Sequence, residues 1–371
     1  MIKIVSVGDI MPGGLLTDRL ESCADLDVLD LLRKGDIRCG TLECALGNEP
    51  AYDQNKVADR GNVIYAKDND VRRLKELDID LVSLANNHFY DLGITGASHT
   101  IDLLDQNGIK HCGAGRDLVE AGAPAVFEIE GKKVAFLAFC DVVYKHVFMC
   151  TYATETTPGI NPMKEGYYEE EIKKNALLYD YVVVLAHWGT ENTFKPDLST
   201  TRIAKKMLKA GACLVLGSHP HRVQPVINTK KGSIVYSMGN FLFPERLIAP
   251  PKVTFYSDSG IDYSSLPITY DYPMVDRVTL KSLPYLARVV MIVTSILGED
   301  SCESSYVLSY LEQDNHISVL DSDEVHVIKR SIGKIGRYLH NGFTYVPFII
   351  IAKHGRAMLS RIKVFLRHNS R

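Results

Sequence analysis

Five polar clusters follow apolar runs of the sequence, and each one lies where a predicted strand ends. They are Gly8-Asp9, Thr41-Leu42-Glu43, Asn86-Asn87-His88, His187-Trp188-Gly189 and Ser218-His219-Pro220-His221. Carboxylate, amide and imidazole groups gathered at strand ends are the ligands that a pair of divalent metal ions needs. The residue types therefore predict a metal-dependent hydrolase.

The clusters contain enough ligands for a two-metal site. Two ions about 3.5 to 4 Å apart share a bridging carboxylate and lower the pKa of the water between them, so that it becomes a hydroxide nucleophile near neutral pH. Taken singly, Asp9 is typical of a turn or helix cap, and His187 is typical of a buried core histidine. The pair His219 and His221 around Pro220 favours metal binding, since two such imidazoles are hard to bury. The six candidate ligands are Asp9, Glu43, Asn87, His187, His219 and His221.

Residues 1 to about 245 alternate β-branched runs with helical patterns, which is typical of α/β architecture. Hairpins with turns at Glu130-Gly131 and at residues 230–232 make both sheets mixed. The predicted strands are Ile2–Val7, Ile37–Leu42, Leu81–Ala85, Val134–Phe139, Val182–Ala186 and Leu214–Leu216. The predicted helices are Leu26–Arg33, Val71–Glu76, Ala97–Gln106, Glu169–Leu178 and Arg202–Lys209. Because ligands of open α/β sheets bind beyond the carboxyl ends of the strands, the five clusters are expected to meet in one pocket.

The composition sets broad limits on function. The 371 residues are 46% hydrophobic and carry a formal net charge of −3, so the chain can bury a full core and no nucleic acid binding is expected. The N-terminus has no signal-peptide pattern, and the eight cysteines show no CxxC spacing, which fits a reducing compartment. We therefore expect a cytoplasmic protein.

The sequence changes character after Pro250-Pro251, where a stretch rich in Tyr, Ser and Asp precedes a strand-like run, Ala287–Ile296. We predict a domain over residues 1–248 and an accessory region over residues 249–371. Residues 353–371 hold six Lys or Arg and no acidic residue, at the spacing of an amphipathic helix. This helix is expected to dock on the protein with a solvated basic face; peripheral membrane contact is the alternative.

Six ordered motifs over residues 1 to about 245 resemble the CapA family of capsule and poly-γ-glutamate biosynthesis proteins, which belongs to the calcineurin-like metallophosphoesterase superfamily. The resemblance implies a four-layer α/β/β/α sandwich with two mixed sheets, followed by a C-terminal extension. The motifs are Gly8-Asp9-Ile10-Met11, Leu42-Glu43, Leu84-Ala85-Asn86-Asn87-His88 with Asp91 and Gly93, His187-Trp188-Gly189-Thr190-Glu191, Gly217-Ser218-His219-Pro220-His221 and Tyr236-Ser237-Met238-Gly239-Asn240-Phe241.

The resemblance also implies roles for the ligands. Asp9, Glu43 and His221 would hold one metal ion. A second ion would be held by Asn87, His187 and His219, together with Glu43 as the bridging ligand. The ions would be Mn, Fe, Zn or Mg, all of which accept mixed oxygen and nitrogen ligands.

Four further residues have roles near the metals. His88 would be the catalytic histidine that protonates the leaving group. Asp91 and Glu191 would either orient imidazoles or serve a purely structural role. Asn240 would either contact substrate or make a turn hydrogen bond, and the turn is favoured.

Two positions depart from the superfamily pattern. Met11 stands where a histidine ligand is usual, so one metal site is expected to be weaker or empty. Thr41 replaces an asparagine that often precedes the Leu-Glu pair, which is expected to tune the surroundings of the ligands.

Three functions are compatible with these residues. The favoured one is a hydrolase whose metal-bound hydroxide attacks a phosphoester or amide-like bond of an anionic polymer or phosphoester substrate, with capsule-assembly proteins as partners. The first alternative is a non-catalytic accessory protein of envelope polymer assembly that keeps the fold. The second is a nucleotide phosphoesterase.

Overall fold

The computed structural model describes residues 1–47, 63–142, 151–249, 268–271, 275, 277–299, 301–320 and 323–340. In this part of the chain the strands are β1 (Ile2–Ile10), β2 (Ile37–Leu42), β3 (Ala45–Leu46), β4 (Val63–Ala66), β5 (Leu81–Ser83), β6 (Lys110–Cys112), β7 (Ala114–Gly115), β8 (Ala125–Ile129), β9 (Lys132–Cys140), β10 (Gly159–Ile160), β11 (Tyr181–His187), β12 (Leu214–Ser218), β13 (Val226–Thr229), β14 (Gly232–Val235), β15 (Asn240–Leu242), β16 (Arg246–Ala249), β17 (Ile268–Asp271), β18 (Thr279–Lys281), β19 (Val289–Leu297), β20 (Cys302–Leu311) and β21 (Ile317–Val319). The α-helices are α1 (Leu26–Arg33), α2 (Arg72–Glu76), α3 (Gly93–Gln106), α4 (Leu118–Ala121), α5 (Tyr167–Ala176), α6 (Leu198–Ala210), α7 (Tyr285–Arg288) and α8 (Asp323–His340).

Two mixed sheets form the centre of the protein. Within the described residues, the first sheet has the order β21-β20-β19-β1-β2-β5-β6, and β15 also pairs with β1. The second has the order β13-β14-β12-β11-β9-β8. β1 is parallel to β2 and β15 but antiparallel to β19. The prediction of an α/β fold with two mixed sheets is therefore confirmed.

The alternation of side chains along β11 shows how the layers pack. Val183 and Leu185 lie in the core shared with the first sheet, whereas Val182 and Val184 pack in the core that α5 and α6 cover. Helices α1 and α3 pack on the first sheet. The result is four layers, and His187 continues the alternation of the residues that face the first sheet.

Helix α5 begins at Tyr167, two residues before its predicted start, and two further helices begin four residues earlier than the apolar spacing indicated. Helix α3 begins at Gly93 and not at Ala97, and α6 begins at Leu198 and not at Arg202. Their first turns carry exposed or polar side chains, so apolar periodicity did not mark them. Helix α1 and strand β2 have the bounds that the sequence predicted.

Both predicted hairpins are present. Strands β8 and β9 are antiparallel, and the residues between them, Glu130 and Gly131, both have positive φ. Positive φ at both central residues is what a type I′ turn requires. Strands β13 and β14 form the second hairpin.

Residues beyond 249 contribute to the first sheet. The first two residues of the predicted strand-like run belong to a helical turn, α7, and the rest forms β19, which pairs with β1 and β20. The domain division at residue 248 stays a prediction, as does the cytoplasmic location. The predicted basic helix, residues 353–371, lies outside the described residues. No helix in the described ranges has both the length and the apolar character needed to cross a bilayer.

Candidate metal centre

Both central sheets deliver their polar clusters to one place. Asp9 lies near the end of β1, Glu43 directly follows β2, and Asn87 lies in the loop after β5. The second sheet supplies His187, the last residue of β11, and the loop after β12 supplies His219 and His221. The expected meeting of side chains beyond strand ends is what the structure shows.

The first ligand group consists of Asp9, Glu43 and His221. Their ligand atoms lie within 4.8 Å of one another, so that they could hold a metal ion. His221 Nδ1 is 3.5 Å from Asp9 Oδ2, and His221 Nε2 is 3.6 Å from Glu43 Oε1. Asn240 Oδ1 lies 2.7 Å from His221 Nδ1, and the Asn240 amide donates to the Ala287 carbonyl at 3.1 Å. Asn240 thus ties His221 to helix α7.

The second ligand group consists of Glu43, Asn87, His187 and His219. Ligand atoms of Glu43, His187 and His219 lie within 4.8 Å of one another. His187 Nε2 is 3.5 Å from Glu43 Oε1 and 2.8 Å from Asn87 Oδ1. Glu43 therefore belongs to both groups, which is the geometry that a bridging ligand needs. The assignment of each residue to a particular ion stays a prediction.

A hydroxyl pair holds the His187 ring. Ser218 Oγ lies 2.9 Å from His187 Nδ1, and the Thr41 hydroxyl donates to Ser218 Oγ at 3.1 Å. His187 and Ser218 are register partners in β11 and β12. A hydrogen bond at one ring nitrogen fixes the ring orientation and leaves the other nitrogen directed at the site.

The carboxylates of the centre are buried without sufficient protein partners. Asp9 and Glu43 are 0% exposed, and among the described residues Asp9 Oδ1 and both Glu43 oxygens accept no hydrogen bond. Buried carboxylate oxygens of this kind are costly unless a cation or donor compensates them. Burial raises the pKa of Glu43 well above its usual value, against the opposing effect of the nearby His221.

Burial also shifts the pKa values of the imidazoles. Burial, reinforced by neighbouring imidazoles, lowers the pKa of His187 and of His219, so both rings are neutral, the form that binds metal. Burial also lowers the pKa of His221, but Glu43 and Asp9 outweigh it and raise that pKa to about 10. The donor set fits divalent metal ions, since cations would satisfy carboxylates and imidazoles together.

Two backbone features make this assembly possible. His219 has φ 93° and His221 has φ 52°, in the left-handed region that side chains other than glycine rarely adopt. At Gly8 a Cβ atom would lie 1.8 Å from the Gly239 carbonyl oxygen. The absence of a side chain at Gly8 lets β1 approach the segment that carries Asn240, the register partner of Asp9.

Comparison with known proteins identifies the family. Residues 3–245 match the family of bacterial capsule synthesis proteins described as PGA_cap. The chain belongs to this family. It is 31% identical over 255 residues to the capsule biosynthesis protein CapA of Bacillus anthracis, a match that covers 66% of this chain and 60% of that protein. It is 29% identical over 245 residues to the PGA biosynthesis protein CapA of Bacillus subtilis, covering 64% and 62%.

This PGA_cap chain spans less than two thirds of the length of those two relatives. Among solved structures, 5'-nucleotidase from Candida albicans is similar at 11% identity with a TM-score of 0.41, over 91% of this chain and 57% of that one. The predicted membership of the capsule and poly-γ-glutamate biosynthesis family is confirmed, and every candidate ligand lies inside the matched residues.

His88 lies beside the ligands of the PGA_cap centre and is held from two sides. Its Nδ1 is 2.7 Å from Asp91 Oδ2, which also accepts the Ile64 backbone N–H at 2.6 Å. The His88 backbone N–H donates to Asn86 Oδ1 at 3.0 Å, and Asn86 Nδ2 donates to the Leu42 carbonyl at 2.8 Å. Asp91 is thus in a position to orient the His88 imidazole, and the roles predicted for both residues stay predictions.

A pocket of about 400 Å³ opens beside the first ligand group. His88, His221 and Asn240 line it, together with Glu191, whose carboxylate lies within 4.8 Å of ligand atoms of His219 and His221. The roles predicted for Glu191 and Asn240 stay predictions.

Sequence reasoning missed several residues of this site. Ser218 and Asn86 were seen as members of polar clusters but not as partners of His187 and His88. Three cationic residues of the pocket were not considered: Arg222, Arg246 and Lys281. Met11, at the position of the absent histidine, is fully buried in the hydrophobic core.

Proposed function

We propose that this protein is a metal-dependent hydrolase acting in the biosynthesis of capsule or poly-γ-glutamate-type polymer. One observation carries the proposal: two ligand groups share Glu43, whose two buried oxygens accept no hydrogen bond from the described residues. When bound, two divalent ions would lower the pKa of a coordinated water and polarise the bond under attack. The substrate would be an anionic polymer or phosphoester, and capsule-assembly proteins would be partners.

The chain's own residues would position the substrate and move one proton. Because Asp91 holds His88 Nδ1, the opposite ring nitrogen, Nε2, is the atom that would deliver a proton to the leaving group. His88 lines the pocket, so a phosphoester or amide-like bond lying there can reach it. Ser218 and Asn240 would keep the ligand imidazoles in place while the bond breaks.

Two alanine variants test this division of roles. His219→Ala is expected to lose bound metal and turnover of an aryl phosphodiester together. His88→Ala is expected to keep its metal while turnover falls about 100-fold or more. His111, which pairs with Asp105 outside the site, provides the control, because His111→Ala should change neither quantity. Wild-type turnover in both site variants would contradict the proposal.

A second candidate is a non-catalytic accessory protein of polymer assembly that keeps the fold. The burial of Met11 in the core favours it, because that position then gives the first ligand group no further ligand. Elemental analysis combined with aryl phosphodiester turnover separates the two candidates. Metal with turnover supports the hydrolase, and neither metal nor turnover supports the accessory role.

A further inference from the structure

The pocket beside the metal centre has a charge pattern that the metal ligands do not explain. Besides His88 and His221, its lining holds the three cations Arg222, Arg246 and Lys281, and one carboxylate, Glu191. Positive side chains therefore outnumber negative ones in the lining of a cavity that His221 of the first ligand group borders. Such a cavity favours a negatively charged ligand.

Arg246 is the most deeply placed of these cations. It is 5% exposed, and its guanidinium carbon lies 4.9 Å from the centre of the Phe243 ring. The Phe243 ring in turn lies edge-on to His221, with 5.7 Å between ring centres. A cation packed on an aromatic ring is held in a defined position, so Arg246 presents its charge at a fixed distance from the metal ligands.

Both arginines use part of their guanidinium within the protein, since Arg246 donates to the Pro244 carbonyl at 3.4 Å and Arg222 donates to the His221 carbonyl at 2.7 Å. Lys281, the last residue of β18, is exposed at the pocket. Lys281 can therefore reach a ligand from the solvent side while Arg246 meets it from the buried side.

The remaining lining combines apolar and polar residues. Six of these residues have carbon side chains, namely Ile64, Phe243, Ile248, Leu283, Pro284 and Ala287, and three are polar, namely Asn192, Asn240 and Ser282. An anion with no carbon chain would leave the carbon side chains in contact with water, whereas methylene groups would bury them.

We propose that this pocket selects substrates in which an anionic group is joined to the scissile bond by a short aliphatic segment, and that Arg246 and Lys281 recognise the charge. The inference rests on the proposed function for the existence of a scissile bond, but recognition of the anion does not depend on catalysis. Arg246 and Lys281 are specificity-determining residues.

Calorimetric titration of the full chain with glutarate, which carries two carboxylates on three methylenes, tests the proposal. Glutarate is expected to bind, and to bind more tightly than inorganic phosphate, which has no aliphatic part. Lys281→Gln should weaken glutarate binding about threefold to fivefold, the effect of an exposed ion pair. Arg246→Gln should weaken it roughly 10- to 100-fold, as expected for a charged hydrogen bond in a buried site.

Lys231→Gln is the matched control, since Lys231 is an exposed lysine in the turn between β13 and β14. Absence of glutarate binding, or equal affinities in Lys281→Gln and the unchanged chain, would overturn the proposal. If phosphate bound as tightly as glutarate, the claim that the pocket recognises an aliphatic segment would be overturned. Lys281 is exposed, so its variant decides the question even if Arg246→Gln fails to fold.

Repeating the titration with excess chelator separates this inference from the proposed function. Glutarate binding that persists without metal and still depends on Lys281 would support the anion site even in a protein with no hydrolase activity. Hydrolysis with no dependence on Lys281 or Arg246 would support the hydrolase and overturn the anion site.

Discussion

The two ligand groups of the metal centre share Glu43 but differ in enclosure. In the second group, His187 and His219 are each 1% exposed. Ser218 Oγ fixes the His187 ring by its contact with His187 Nδ1. In the first group, the His221 side chain is 19% exposed and borders the pocket. Enclosed, oriented ligands bind a metal tightly, whereas a partly open group leaves coordination positions for water or substrate.

The contrast assigns different tasks to the two groups. With Met11 in the core, the first group has three protein side chains, and one of them, His221, lines the proposed substrate pocket. We infer that the second group is the firmly held metal site and that the first is the weaker site that meets the substrate. The predictions below test that difference, beginning with the largest expected effect.

Glu43→Gln should affect both groups at once. Glutamine keeps the shape of the side chain but removes the negative charge that two cations would share. Metal affinity at both sites is expected to fall by more than about 100-fold, which is the largest loss typical when only a hydrogen-bond partner of a ligand is removed. Elemental analysis after dialysis measures this. Glu76→Gln is the control, because Glu76 pairs with Arg73 away from the centre; two ions retained in Glu43→Gln would refute the shared role.

Ser218→Ala should weaken the second group and spare the first. The change removes the hydrogen-bond partner of His187 Nδ1, which is expected to cost roughly 10- to 100-fold in affinity for the second ion. Metal titration with two resolved binding steps measures the effect. Ser304→Ala, a buried serine change in β20, should leave both steps unchanged. An equal loss of metal affinity in both binding steps of Ser218→Ala would contradict the assignment of Ser218 to the second group alone.

Part of the fold was predictable because local sequence patterns determine it. The continuous β-branched run that predicted β11 also places His187 at the end of that strand, whereas the structure shows which of its residues face the first sheet. The pairing of β19 with β1 depends on which distant segments meet, and no local pattern near Val289 specifies that partner.

The site follows the same division. The six candidate ligands were predictable because metal-binding residue types coincide with the ends of predicted strands, where α/β sheets bind their ligands. The role of Ser218 depends on the register of β12 against β11, and that of Arg246 depends on where β16 lies. Neither relation has a signature in the neighbouring residues, so both required the three-dimensional structure.

Chelator should remove the two ions in sequence. The ion of the first group is expected to leave at a chelator concentration about 10-fold lower than the ion of the second, because the first group has three protein ligands rather than four and is partly open. Metal content measured along a chelator series would show a plateau at one ion per chain. In Asp9→Asn the earlier step should disappear, while His187→Gln should lose the later one. Loss of both ions in a single step would contradict the proposed order.

Asn240→Ala should have the smallest effect. It removes the contact at His221 Nδ1, but His221 retains Asp9 and Glu43 close by. We expect a loss of about 10-fold or less in affinity for the first ion, with the second ion unaffected. Asn175→Ala, in α5, is the control for an asparagine change. A larger loss of affinity for the second ion than for the first would contradict the assignment of Asn240 to the first ligand group.

The most direct test of the shared centre is anomalous X-ray scattering from crystals grown with Mn²⁺. Our account predicts two anomalous peaks on either side of the Glu43 carboxylate, about 3.5 to 4 Å apart. One peak should lie among Asp9, Glu43 and His221, and the other among Glu43, Asn87, His187 and His219. Peaks elsewhere, or no peak beside Glu43, would contradict it.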